Sequence, residues 1–146
     1  MCDVCGGMTA EEYEDRLVTN IRTYGWTAQY VEGEDDRNPA FAYTLGLTLH
    51  RHPEFIMFNC RLDQVGRIFM PVVQAVLDGR RFDEGTDLSA YYPHYPSAET
   101  PQLLRLPDSS THLYTANTMF RRPGDPPIPA LQLLWPRRLS WLRSHP

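Results

Sequence analysis

The residue pattern predicts an α+β domain, with a mostly antiparallel sheet and two main helices. Apolar residues recur at helical spacing in only two stretches, near residues 9–25 and 63–78. Short apolar runs of strand length, some alternating with polar residues, fill much of the rest. The two kinds of segment mix without the regular strand–helix–strand alternation that a parallel sheet requires.

Taken in order, the first helix is signalled by Thr9 followed three residues later by Glu12, a capping box, with Met8 and Tyr13 in the staple positions around it. Tyr13, Leu17, Ile21 and Tyr24 then fall on one face, and Gly25 supplies the stop. Trp26, Ala28 and Tyr30 alternate with polar neighbours, as in a short strand, and the acidic stretch 32–38 reads as a solvated loop. Residues 41–58, FAYTLGLTLHRHPEFIMF, read as two strands joined by a charged loop of His50, Arg51, His52, Pro53 and Glu54. In the first of these strands Phe41, Tyr43, Leu45 and Leu47 share a bulky face, and Ala42, Thr44, Gly46 and Thr48 share a smooth one. A second helix is predicted over 63–78, with Asp63 as N-cap, Val65, Phe69, Val72 and Val76 as its buried stripe, and Gly79 as its end. Pro71 lies inside it and is expected to kink or divide it. Residues 91–101 read as irregular, 102–106 as a strand, 123–129 as a proline-rich loop and 130–135 as the last strand.

With 146 residues the chain is about one domain. A 42% hydrophobic share gives it enough apolar side chains for a core. No apolar run approaches the roughly 18 residues of a membrane span, and the start MCDVCGG lacks the basic and apolar regions of a secretory signal, so a cytoplasmic location is expected. A net charge of −4 argues against nucleic acid as a partner. All fourteen basic residues are arginine, which excludes Schiff-base lysine chemistry and a P-loop lysine. There is no G-x-S-x-G elbow, dinucleotide glycine fingerprint or H-E-x-x-H helix.

A C-x-x-C directly after the first residue, a helix closing on Gly25-Trp26, the run 41–47 (FAYTLGL), Pro53-Glu54 before an apolar strand, and 130–135 (ALQLLW) together carry a resemblance. The chain resembles a bacterial, mainly actinobacterial family without an assigned activity, domain of unknown function 4262, over roughly residues 1–136. That implies a single-domain build and no particular reaction. Where family members continue with an acidic, glycine-containing turn and a closing Trp, this chain ends in an arginine-rich tail over 137–146.

Two sets of residues are candidates for chemistry. Cys2 and Cys5 have the spacing of two thiolates on one tetrahedral zinc; His50 and His52 are the densest source of further ligands, with His94, His112 and Cys60 as others. A redox dithiol is the weaker alternative, because the helix begins only at Thr9. The second set is a ligand site formed by Tyr43, Thr44, Gly46, His50, His52 and Glu54, where a smooth strand face meets a loop with two imidazoles and a carboxylate. Each has a structural counterpart: the smooth face packs on a helix, Glu54 satisfies backbone donors or pairs with an arginine, and Cys60 is a small buried hydrophobe. Tyr91, Tyr92, His94 and Tyr95 make an aromatic loop, either a lid or a cover over a core edge. The expected function is binding of a small ligand or protein partner through residues 43–54, with a zinc site closed by Cys2, Cys5 and histidines as the alternative.

Overall fold

A computed structural model describes residues 8–35, 37–96 and 99–135. Helix α1 spans Ala10–Tyr24. Thr9 caps it, its Oγ1 accepting from the Glu12 N–H at 3.1 Å, and Gly25 closes it in the left-handed region at φ 86°. Leu17 and Ile21 are buried, but Tyr24, expected on the same stripe, is 67% exposed.

Strands β1 (Thr27–Val31), β2 (Phe41–Leu45) and β3 (Glu54–Phe58) form an antiparallel meander. Helix α2 (Leu62–Leu77) follows, then β4 (Gln102–Arg105), helix α3 (Tyr114–Phe120) and β5 (Ala130–Leu134). The sheet order is β1-β2-β3-β5-β4, and β3–β5 is its parallel pair. The fold is α+β, as the sequence predicts. The short helix α3 is not signalled in the sequence, since seven residues carry too little periodicity to stand out.

Core residues lie on both faces of the sheet. On one, α2 sets Val65, Ile68, Phe69, Val72, Val73 and Val76 against Ala42, Phe55, Met57, Leu131 and Leu133. On the other, Leu17 and Ile21 of α1 and Ala116 of α3 group with Tyr43, Leu45, Ile56 and Ala130. The smooth face of β2 is therefore the one that meets α2: small side chains let a helix approach closely.

Three details differ from expectation. The strand ends at Leu45, not at 47, because Gly46 turns the chain at φ 122° into a 3-10 helix over Leu47–His50. Leu47 accordingly joins the α2 side of the core instead of extending the Tyr43 face. Helix α2 begins one residue before Asp63, with Gln64 Oε1 accepting from the Arg61 N–H at 2.9 Å, and it runs unbroken through Pro71.

Candidate functional site

The turn after β2 and the start of β3 are joined by one side chain. Glu54, the first residue of β3, is wholly buried. Its Oε1 accepts from the Thr44 hydroxyl at 2.8 Å and the Leu47 N–H at 3.2 Å. Its Oε2 accepts from the Thr48 hydroxyl at 2.6 Å, the Thr48 N–H at 2.8 Å and the Gly46 N–H at 3.3 Å. Thr44 Oγ1 in turn accepts from the Phe55 N–H at 2.9 Å. The opening of a 3-10 helix leaves backbone N–H groups pointing outward, and the carboxylate satisfies them. Burial pushes the Glu54 carboxyl above its usual range, while the hydrogen bonds from Thr48, Thr44 and Leu47 oppose that rise. Thr44, Gly46 and Glu54, three of the predicted site residues, do meet, in an assembly closed to solvent.

His52 is also buried, at 3% exposure, but belongs to a different contact. Its Nε2 accepts from the Phe82 N–H at 2.9 Å, so the ring proton sits on Nδ1 and donates to the Pro53 carbonyl at 2.7 Å. Burial lowers the imidazole pKa; the Pro53 carbonyl raises it, nearby Arg81 lowers it further and Asp83 raises it. Both nitrogens of the neutral ring are committed. His50 ends the 3-10 helix and is exposed, and Arg51 follows in the left-handed region at φ 57°. The stretch 50–54 is thus not extended, and the shared direction expected for His50, His52 and Glu54 does not form. Tyr43 lies on the opposite sheet face, donating to Gln29 Oε1 at 2.9 Å and accepting from the Thr115 N–H at 3.1 Å.

What the His52 contact holds in place is the wall of a cleft of about 520 Å³. The cleft opens at the N-terminal ends of β3 and β5, with Pro53, Phe82, Leu106, Pro129 and Leu131 as apolar surface and Arg81, Asp83, Thr86 and Arg105 as polar groups. Arg105 grips Asp83 in a bidentate pair, Nε to Oδ1 at 2.8 Å and Nη2 to Oδ2 at 2.6 Å, and holds that carboxyl down at about 2. Arg81 donates through Nη2 to the Arg51 carbonyl and has no acidic partner among the described residues. Thr86 Oγ1 accepts from the Asp83 N–H at 2.9 Å, which keeps its own O–H for another acceptor.

The family model described as Domain of unknown function (DUF4262) matches residues 20–141. The chain belongs to the DUF4262 family. No curated protein and no solved structure matches it.

The match to DUF4262 starts within α1, after Cys2 and Cys5, and those two cysteines lie outside the described residues. Among the described residues of this DUF4262 domain, no group of three or more His, Cys, Asp and Glu side chains could hold a metal ion. No helix among them is long and apolar enough to cross a membrane. His94 is exposed, and His112 lies edge-on to Phe41 and Phe58, with ring centroids 5.2 and 4.9 Å away. Cys60 is buried in the α2 side of the core. The aromatic loop covers a core edge: Tyr92 is buried and donates to the Ile68 carbonyl at 2.6 Å. Sequence reasoning missed Arg81, Thr86 and Arg105, which are distant in sequence from 43–54; Arg80-Arg81 before Phe82 was the available signal.

Proposed function

We propose that this domain binds a small organic anion, a carboxylate on a flat apolar body, in the cleft beside Pro53. The observation that carries the reading is the imbalance of charge there. Asp83 is neutralised by Arg105, while Arg81 faces the same cleft without an acidic partner among the described residues. A guanidinium with unused donors recognises a carboxylate by paired N–H···O bonds. The Thr86 hydroxyl adds a donor, and Pro53, Leu106 and Pro129 offer surface to an apolar body. His52 touches no ligand in this scheme; it positions the Arg81–Phe82–Asp83 segment through the Phe82 N–H. The loop 50–54 thereby contributes to binding through Pro53, the Arg51 carbonyl and the His52 ring.

Calorimetric titration with benzoate tests it. Saturable binding is expected, weakened about tenfold in Arg81→Met, as for loss of one charge-assisted contact, with an unchanged melting temperature. Thr86→Val should weaken it by a smaller factor. Absence of saturable benzoate binding, or equal affinity in Arg81→Met, would overturn the proposal.

A further inference from the structure

Two neighbouring residues of the turn before β3 hold two neighbouring residues of the cleft wall. Arg81 donates through Nη2 to the Arg51 carbonyl, and the Phe82 N–H donates to His52 Nε2 at 2.9 Å. The second bond differs from the first in one respect: its acceptor can take up a proton. The buried His52 ring packs against Phe55 and Phe82, with centroids 5.5 and 5.9 Å away. Phe82 in turn meets Phe55 at 5.9 Å and Tyr91 at 5.2 Å. The contact is a packed joint between the turn and the segment that carries Arg81.

Nδ1 already donates to the Pro53 carbonyl at 2.7 Å, so an incoming proton goes to Nε2. An Nε2–H then opposes the Phe82 N–H, donor against donor, and the two must part. Two charged groups face the ring from residues 81–83: Arg81 resists its protonation, and Asp83, paired with Arg105, favours it. On its own turn, His50 and Arg51 are exposed. From β3 it is Phe55 that meets the ring, while the Glu54 carboxyl is taken up by Thr44, Gly46, Leu47 and Thr48. Burial keeps the ring neutral at neutral pH, so the change comes below about 6.5.

We propose that His52 is a proton-operated latch on the cleft: the neutral ring holds Arg81 in place to take an anion, and the protonated ring frees residues 81–83 and lets the anion go. The inference rests on the reading of the cleft as an anion site and adds its regulation. Its sign is opposite to that of charge alone. An imidazolium next to Pro53 and Phe82 of the cleft lining would attract an anion more strongly, whereas an opened latch removes the Arg81 contact. Loss of affinity in acid is therefore the mark of the latch. By reciprocity, a bound anion makes His52 harder to protonate.

Calorimetric titration of the full-length chain with benzoate from pH 7.5 to 5 is the first readout. Benzoate, a carboxylic acid of ordinary pKa, stays mostly ionised over that range. Wild-type affinity is expected to fall as pH drops below about 6.5, approaching about tenfold per pH unit once below the folded-state pKa. His52→Gln offers the Phe82 N–H an amide oxygen that does not titrate. It should bind benzoate at pH 7.5 with an affinity that no longer falls in acid. The second readout needs no ligand: the Phe82 amide resonance of the ¹⁵N-labelled chain should titrate below about pH 6.5 in wild type and stay in place in His52→Gln. If His52→Gln fails to fold, the two wild-type profiles decide. Affinity that is constant or rises in acid, or that falls equally in His52→Gln, overturns the latch. If benzoate binds at no pH, the anion reading fails and the Phe82 amide judges the latch: a titrating resonance sustains it, and an unmoved one overturns it.

Discussion

Glu54 is a fully buried carboxyl group whose compensation comes from backbone and hydroxyl donors; no arginine is among its hydrogen-bond partners in the described residues. Glu54→Gln conserves shape but sets an amide NH₂ against donors that need an acceptor. A loss of about 3 kcal/mol is expected in urea denaturation, the scale of hydrogen bonds to a buried charge. His52 makes a prediction of different kind. Its pKa is lowered by burial, so the unfolded chain takes up a proton first as pH falls below about 6.5. Its contribution is therefore complete above that pH and declines as the pH drops toward the folded-state value. Protonation also removes the acceptor for the Phe82 N–H. Glu54 titrates with the opposite sign: its raised pKa favours the folded state most below the unfolded value of about 4.5, and that advantage fades as pH rises through the folded one. The readout is thus the difference between wild type and His52→Leu. Relative to His52→Leu, which is less stable at pH 7.5, wild type should lose stability between pH 7.5 and 5.5. Parallel pH profiles would show that His52 is not the group responsible.

At the scale of elements, two glycines with the same sequence appearance have opposite roles. Gly46 sits at φ 122°, and a Cβ there would lie 2.9 Å from the Gly25 carbonyl oxygen and 3.0 Å from Trp26 Cα. Both obstacles are backbone, so Gly46→Ala should cost about 3 kcal/mol or more through strain and overlap combined. Gly66 lies on the exposed side of α2, where an added Cβ would meet nothing within 4 Å. Gly66→Ala should stabilise by about 1 kcal/mol through helix propensity alone, read as a rise in melting temperature. The same contrast explains what is legible in the sequence. Thr9, Glu12 and Gly25 announce α1 because capping is a local interaction, and the α2 stripe is legible because eight buried positions repeat at helical spacing. The turn at Gly46 is hidden, since FAYTLGLTL alternates through it as a strand would. What breaks the strand is the Glu54 carboxylate, eight residues on, gathering the N–H groups of Gly46, Leu47 and Thr48. His52 and Glu54 stand out in the sequence as unusual, but their partners, Phe82 and the 3-10 turn, are set by tertiary structure that spacing does not encode.

Across the whole molecule, the parallel pair β3–β5 runs from a polar cleft at one end to an apolar cavity at the other. Along β5 the two linings adjoin, the cleft taking residues up to Leu131 and the cavity those from Gln132 onward. Phe55 and Ile56 of β3 are buried beside them, packed from opposite faces of the sheet. A close-packed core of this kind offers no alternative arrangement for a ligand to select, so binding in the cleft should leave the far end of the sheet undisturbed. Trp135→Phe should therefore leave benzoate affinity unchanged. Saturating benzoate should likewise leave the Trp135 indole N–H resonance of the ¹⁵N-labelled chain where it was. A saturable shift of that resonance would instead mean that the β3–β5 pair moves as a unit between two states, with His52 and Trp135 at its two ends.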